Sequence, residues 1–105
     1  MRVLIDNCIP WRFAGYISGH TVDTVLKLGW ANLGDGVLLD TMGSSYDAPV
    51  TVDQSIRYQQ RIDIRAFGLV VLKAKSNKIA DLRLFVPELL AALPLIKPGE
   101  VRELS

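Results

Sequence analysis

The sequence predicts an α/β domain built on a mostly parallel sheet. Three observations lead there. Short apolar or β-branched stretches alternate with helix-compatible ones along the whole chain. The stretch "FGLVVLKA", beginning at Phe67, opens on an unbroken apolar run through Leu72, which suits a strand buried on both faces. Apolar stretches also run directly into aspartates, as in "VLIDNCIP" and "VTVDQS", where a strand hands over to a loop.

Each element follows in order. Val3-Leu4-Ile5 forms the first strand. Asn7 caps a helix over residues 8–17, with Pro10 in the first turn, where its missing N–H costs little. Gly19 closes that unit, and the alternation of "HTVDTVL" (20–26) predicts the second strand. "GWANLGD" is a loop, and Asp35 caps a helix over 36–43. After the turn "GSSYD", the stretch "APVTV" (48–52) is the third strand. Pro49 marks it as an edge strand or a strand end, because proline cannot donate to a ladder. Residues 54–61 form a short polar helix, and "FGLVVLKA" is the fourth strand.

Ile79, Leu82, Val86, Leu89 and Leu93 fall near one stripe, which predicts a helix over 78–93. Pro87 removes the bond to Arg83, so this helix should kink or split in two. "KPGE" is a turn and "EVREL" a fifth strand. The expectation is one domain over 1–105, with helices on both faces of the sheet.

Composition narrows the function classes. Half of the 105 residues are hydrophobic, which suits a globular chain rather than a disordered one. A net charge of +1 excludes a wholly basic nucleic-acid binder but not a local basic face. Cys8 is the only cysteine, so no internal disulfide forms, which fits a reducing cytoplasm. Asp6 interrupts the first apolar run too early for a signal peptide. The run 67–72 falls well short of the roughly 20 residues of a membrane span. Charge is unevenly spread. Residues 1–53 carry three basic and six acidic groups, whereas residues 54–83 carry seven basic and two acidic. Such a division places a cation site beside a phosphate-binding face, or simply reflects solvated helix faces.

In an alternating α/β fold the strand-to-helix loops emerge at the carboxyl edge of the sheet, where ligands bind. Asp6 follows the first strand, Asp35 opens the helix after the second, and Asp53 follows the third. Each also suits a cap or a turn on its own. Together they form an acidic cluster that a hard cation such as Mg²⁺ or Mn²⁺ would relieve of its repulsion. A cation held there activates water against a phosphodiester, and no protein nucleophile is needed.

Four stretches, in this order, resemble the small bacterial PIN-like nucleases often paired with antitoxin-like genes. They are "LIDNCIP", "GHTVDTVLKLGWANLGDGVLL", "YDAPVTVDQSIRYQQ" and "SNKIADLRLFVPELLAALPLIKPGEV". The resemblance covers nearly the whole chain. It implies a three-layer PIN-like domain with strand order 3-2-1-4-5, which would make the third strand an edge. It implies a Mg²⁺- or Mn²⁺-dependent endoribonuclease, the toxin of a toxin–antitoxin pair, with Asp6, Asp35 and Asp53 as its catalytic and metal-binding acids. It implies a fourth polar ligand after the fourth strand, where Asn77 and Asp81 stand. This chain departs from the family pattern at Asn7 and Cys8, which replace Glu and Asn, and at Gln54-Ser55, which replaces a pair such as Arg-Asn. These changes remove charge from the mouth of the site.

Other residues are weighed on their chemistry. Lys73, Lys75 and Lys78 lie close to the end of the fourth strand and suit phosphate contacts. Arg57 and Arg61, around Tyr58-Gln59-Gln60, line an RNA path or a solvated helix. Cys8 is read as a small buried hydrophobe, because a soft thiolate is a poor Mg²⁺ partner. His20 has no second histidine as companion and reads as structural. Trp11 and Trp30 are read as packed under loops, with base stacking as the other use of an indole. The expected partners are single-stranded RNA, an antitoxin protein and a second copy of the chain. The alternative reading is a catalytically degenerate module that binds RNA or a protein without cutting. A purely structural dimer subunit is a third.

Overall fold

The computed structural model describes all 105 residues. Five strands form one all-parallel sheet: β1 (Arg2–Ile5), β2 (Thr21–Thr24), β3 (Ala48–Thr51), β4 (Leu69–Leu72) and β5 (Val101–Leu104). Four α-helices join them: α1 (Asp35–Met42), α2 (Ile56–Gln59), α3 (Ile79–Leu82) and α4 (Val86–Ala92). This is the expected α/β class.

Alternation along the strands splits the core in two. Val3 and Ile5 of β1, with Val70 and Leu72 of β4, face one cluster with Phe13, Leu82, Leu89 and Leu93. Leu4, Leu69 and Val71 face the other, with Leu38, Leu39 and Met42 of α1 and with Ile56 and Phe67. A strand apolar on both faces needs a layer on each, and the helices supply both.

The strand order is β2-β1-β3-β4-β5, not 3-2-1-4-5. The third strand is therefore interior, and Pro49 does not mark an edge. Burial accounts for the difference. Ala48, Pro49, Val50 and Thr51 are all buried, whereas the "TVDT" of β2 is exposed or half-buried over its first three residues. The polar strand takes the edge and the apolar one the middle. Pro49 is accommodated because the registered pairs between β3 and β4 begin beyond it, at Val50–Val70 and Thr51–Val71.

Local departures have similar causes. The expected helix over 8–17 shortens to a 3-10 helix, Trp11–Tyr16, capped by Pro10 rather than Asn7. The helix over 78–93 divides as Pro87 requires, into α3, a 3-10 turn (Arg83–Phe85) and α4 with the proline in its first turn. Gly68 leads into β4 where a Cβ would lie 2.4 Å from Ile96 Cγ1 and 2.6 Å from the Lys97 carbonyl oxygen. Only glycine lets those two segments approach so closely.

The start of the sheet is tied by a polar clamp. The Tyr46 hydroxyl donates to Asp23 Oδ2 at 2.6 Å, and the Arg2 guanidinium stands 4.7 Å from the Tyr46 ring centre. Arg2 N–H donates to Asp47 Oδ2 at 2.7 Å, and Asp47 N–H donates back to the Arg2 carbonyl at 2.8 Å. Burial, reinforced by the bond to Asp23, pushes the Tyr46 phenol up from 10.0 to about 12. A raised phenol adds stability that is complete below its unfolded value and is lost as pH climbs through the folded one. Stability should therefore fall across roughly pH 10 to 12. Tyr46→Phe should remove that step from a urea-denaturation series and cost about 1 kcal/mol at neutral pH for the lost hydrogen bond.

Candidate active site at the carboxyl edge

With this strand order, the chain leaves β1 for β2 on one side and returns to β3 on the other. The carboxyl ends of β1 and β3 therefore bound a topological switch point, where open α/β sheets bind ligands. Asp6 directly follows β1, and Asp53 stands two residues past Thr51, the last residue of β3. The observed order sets these two acids on adjacent strands. The order 3-2-1-4-5 would have put β2 between them.

Thr51 connects them. Its hydroxyl, on a side chain in a residue only 1% exposed, donates to Asp6 Oδ2 at 2.7 Å. The same oxygen accepts the Asp53 N–H at 3.0 Å. Asp6 is engaged on both oxygens: Oδ1 accepts the Asn7 N–H at 2.8 Å, and Oδ2 also receives the Cys8 thiol at 3.4 Å. Cys8 is thus more than apolar filler. Burial pushes its thiol up, the neighbouring Asp6 charge adds to that, and the neutral S–H remains a donor. Asp53 Oδ1 accepts both the Ser55 N–H at 2.9 Å and the Ser55 hydroxyl at 2.7 Å, an Asx turn that starts the loop into α2. Beneath Asp6 a narrow crevice of about 10 Å³ is lined mostly by apolar residues, among them Leu4, Val25, Leu38 and Met42.

Asp35 approaches from α1. Gly34 is the helix cap, not Asp35, which lies in the first turn and makes no side-chain capping bond. Its carboxyl is pushed above the usual carboxylate range, first by burial, then by the charge of Asp6, then by that of Asp53. Asp35 therefore lies within the field of the other two aspartates. No three acidic, histidine or cysteine side chains stand close enough to enclose a metal ion by themselves.

The remaining expected site residues divide. Asn77 Nδ2 donates to the Cys8 carbonyl at 3.1 Å, which places it against the Asp6 loop with its side-chain oxygen uncommitted. Asp81 accepts the Ser76 hydroxyl, which itself accepts the Lys78 N–H, so it serves the start of α3. Lys73, Lys75 and Lys78 are exposed and form no ion pair. Arg57 is paired with Glu103, and Arg61 with Asp63 at 2.9 Å. These two arginines are already neutralised by the protein. His20 Nδ1 lies 3.5 Å from the Met1 amino group, away from the acids. Trp30 packs edge-on against Tyr46, as a packed indole should, but Trp11 is 57% exposed, contrary to the expectation of packing.

Sequence reasoning missed Thr51 and Ser55. The signal was present in "TVDQS", where threonine two before and serine two after an aspartate suit side-chain-to-backbone bonds. Comparison with protein-family models, curated proteins and solved structures finds no match.

Thr51→Val removes the donor to Asp6 and the acceptor for Asp53 N–H while keeping the shape. It should cost about 2 kcal/mol in urea denaturation, because one of the two bonds involves an ionised group. Asp35 has the opposite sign. A carboxyl raised in the folded state adds stability below its unfolded value, and that stability is lost as pH rises through the folded value. Asp35→Asn should therefore raise the melting temperature near about pH 7, with the gain shrinking as pH falls toward roughly 4.

Proposed function

We propose that this chain is a Mg²⁺- or Mn²⁺-dependent endoribonuclease acting on single-stranded RNA at the β1–β3 switch point. The observation that carries this reading is geometric: Asp6 and Asp53 stand beyond adjacent strands and are joined through the Thr51 hydroxyl, and Asp35 opens α1 at the same edge. A carboxyl whose ionisation is opposed by burial and by two neighbouring acids is suited to a hard cation.

The donor set fits such a cation in chemistry. All its donors are oxygens, and Mg²⁺ commonly keeps several waters while taking one or two carboxylates directly, so a closed protein cage is not required. Asp35 and Asp53 would hold the cation, because Asp53 Oδ2 and the Asp35 carboxylate carry no protein hydrogen bond. Asp6, engaged by Thr51, Cys8 and Asn7, would act through water. Asn77 is a better fourth donor than Asp81, which is committed to Ser76. When bound, the cation polarises a phosphoryl oxygen and lowers the pKa of water. Thr51 keeps Asp6 and Asp53 in register across the crevice. Lys73, Lys75 and Lys78 offer unpaired charge to flanking phosphates. Arg57 and Arg61 contribute less, since Glu103 and Asp63 already occupy them. A toxin role with an antitoxin partner rests on the sequence resemblance alone.

A second reading is a module that binds RNA or a protein without cutting. It is favoured by the engagement of both Asp6 oxygens within the protein and by the neutral Asn7 and Gln54 that follow Asp6 and Asp53. One assay separates the two. Wild-type protein should cleave single-stranded RNA with Mn²⁺ and not with chelator. Asp53→Asn should lower the rate at least about 100-fold, since even the outer partners of metal ligands are worth about 10–100-fold. Mn²⁺ should also raise the melting temperature of the wild type and not that of Asp53→Asn. Cleavage that survives in the Asp6→Asn, Asp53→Asn double variant would overturn the enzyme reading.

A further inference from the structure

Across the sheet from the crevice beneath Asp6, a groove of about 470 Å³ opens between the 3-10 helix Trp11–Tyr16 and the end of β2. This is the size of a small-molecule pocket, about 300–1,000 Å³. Trp11, Ala14, Val22, Thr24, Leu26 and Lys27 line it. Its position is set by the sheet. Thr24 is registered beside Ile5, the residue before Asp6, and Val25 N–H donates to the Ile5 carbonyl at 2.9 Å. Trp11 follows Asp6 by one short loop. The groove therefore reaches the carboxyl end of β2, on the face of the sheet that packs Val3 and Ile5, and the acids stand at the carboxyl ends of the neighbouring β1 and β3, toward the face that carries α1.

Its chemistry is unlike that of a core defect. Trp11 and Leu26 are each more than half exposed. The Arg12 guanidinium stands 5.2 Å from the Trp11 ring centre, and neither Arg12 nor Lys27 forms an ion pair. An apolar slot lined by Lys27, with a more than half exposed indole that carries the Arg12 guanidinium over its ring, suits a flat, apolar group attached to an anion. A nucleotide has that form, and base stacking on an aromatic ring is tolerant of sequence.

We propose that this groove takes an unpaired base of the RNA strand whose phosphodiester lies at Asp6 and Asp53, the strand crossing the carboxyl ends of β1 and β2, with Trp11 as the stacking surface and Lys27 and Arg12 at its phosphates. The proposal rests on the ribonuclease reading for its substrate. It adds a binding subsite outside the acidic cluster.

The test is a titration of the full chain in chelator, where nothing is cut, with a short oligoadenylate and separately with inorganic polyphosphate. Oligoadenylate should quench tryptophan emission and polyphosphate should not. Trp11→Ala, which leaves Trp30 in place, should abolish the quench and weaken binding about tenfold or more, the size of one base–aromatic stack. Lys27→Glu should weaken binding while keeping the quench at saturation, which covers the case in which Trp11→Ala misfolds by circular dichroism. Equal quenching by polyphosphate, or an unchanged affinity in folded Trp11→Ala, overturns the proposal. So does emission that follows protein concentration and not oligonucleotide, which assigns the groove to a second copy of the chain. The two readings fail separately. Trp11-dependent binding without Mn²⁺-dependent cleavage removes the enzyme and keeps the subsite. Asp53-dependent cleavage with Trp11-independent binding does the reverse.

Discussion

One hydroxyl organises the carboxyl edge of this protein. Thr51 ends β3 with its side chain buried, donates to Asp6 beyond β1 and accepts from the backbone of Asp53. A buried hydroxyl without partners is costly, so the neighbouring strand ends are held where they satisfy it. The Cys8 thiol joins the same group, and Asn77 reaches the Cys8 carbonyl from beyond β4. The loops after three strands are thus fastened to one point, and the acids they carry keep a defined spacing.

That point exists only because β1 and β3 are neighbours. Their adjacency follows from two-sided burial: Val3, Leu4 and Ile5 on one strand and Ala48, Pro49, Val50 and Thr51 on the other have no exposed face. The sheet therefore turns its most apolar strands inward and leaves β2 and β5 as edges. The two edges differ in what they offer. At β5, Arg102 is closed by Glu100 and Arg57 by Glu103, so charge there is spent within the protein. At β2, the open indole of Trp11 lies beside the unpaired Arg12 and Lys27.

The ends of the sheet are also divided in purpose. At the start of the strands, Tyr46, Asp23, Arg2 and Asp47 satisfy one another in a closed set that stabilises. At the finish, burial and then the charges of Asp6 and Asp53 raise the Asp35 carboxyl, and no cation of the chain pairs with it. Polar groups that complement each other read as scaffold. Acids gathered at one edge without a partner cation are the kind of group found at functional sites.

The sequence by itself determined which segments become strands and helices, because alternation, apolar runs and prolines act over a few residues. Strands near 3–5, 21–24, 48–51, 69–72 and 101–104, and the division of the last helix at Pro87, were all legible in this way. It also placed Asp6, Asp35 and Asp53 at one edge, since that follows from chain direction alone. Strand order was not legible in the same way. Pro49 pointed to an edge strand, and only the burial of its neighbours on both faces showed that the missing N–H could be absorbed before the β4 ladder begins. The partners of side chains were likewise tertiary facts. Arg57 and Arg61 read as free cations until Glu103 and Asp63 were seen beside them, and Cys8 read as a hydrophobe until Asp6 and Thr51 were seen within reach of its thiol. A residue's type sets what it can bond, but its partner lies up to dozens of residues away and is chosen by the packing of the sheet.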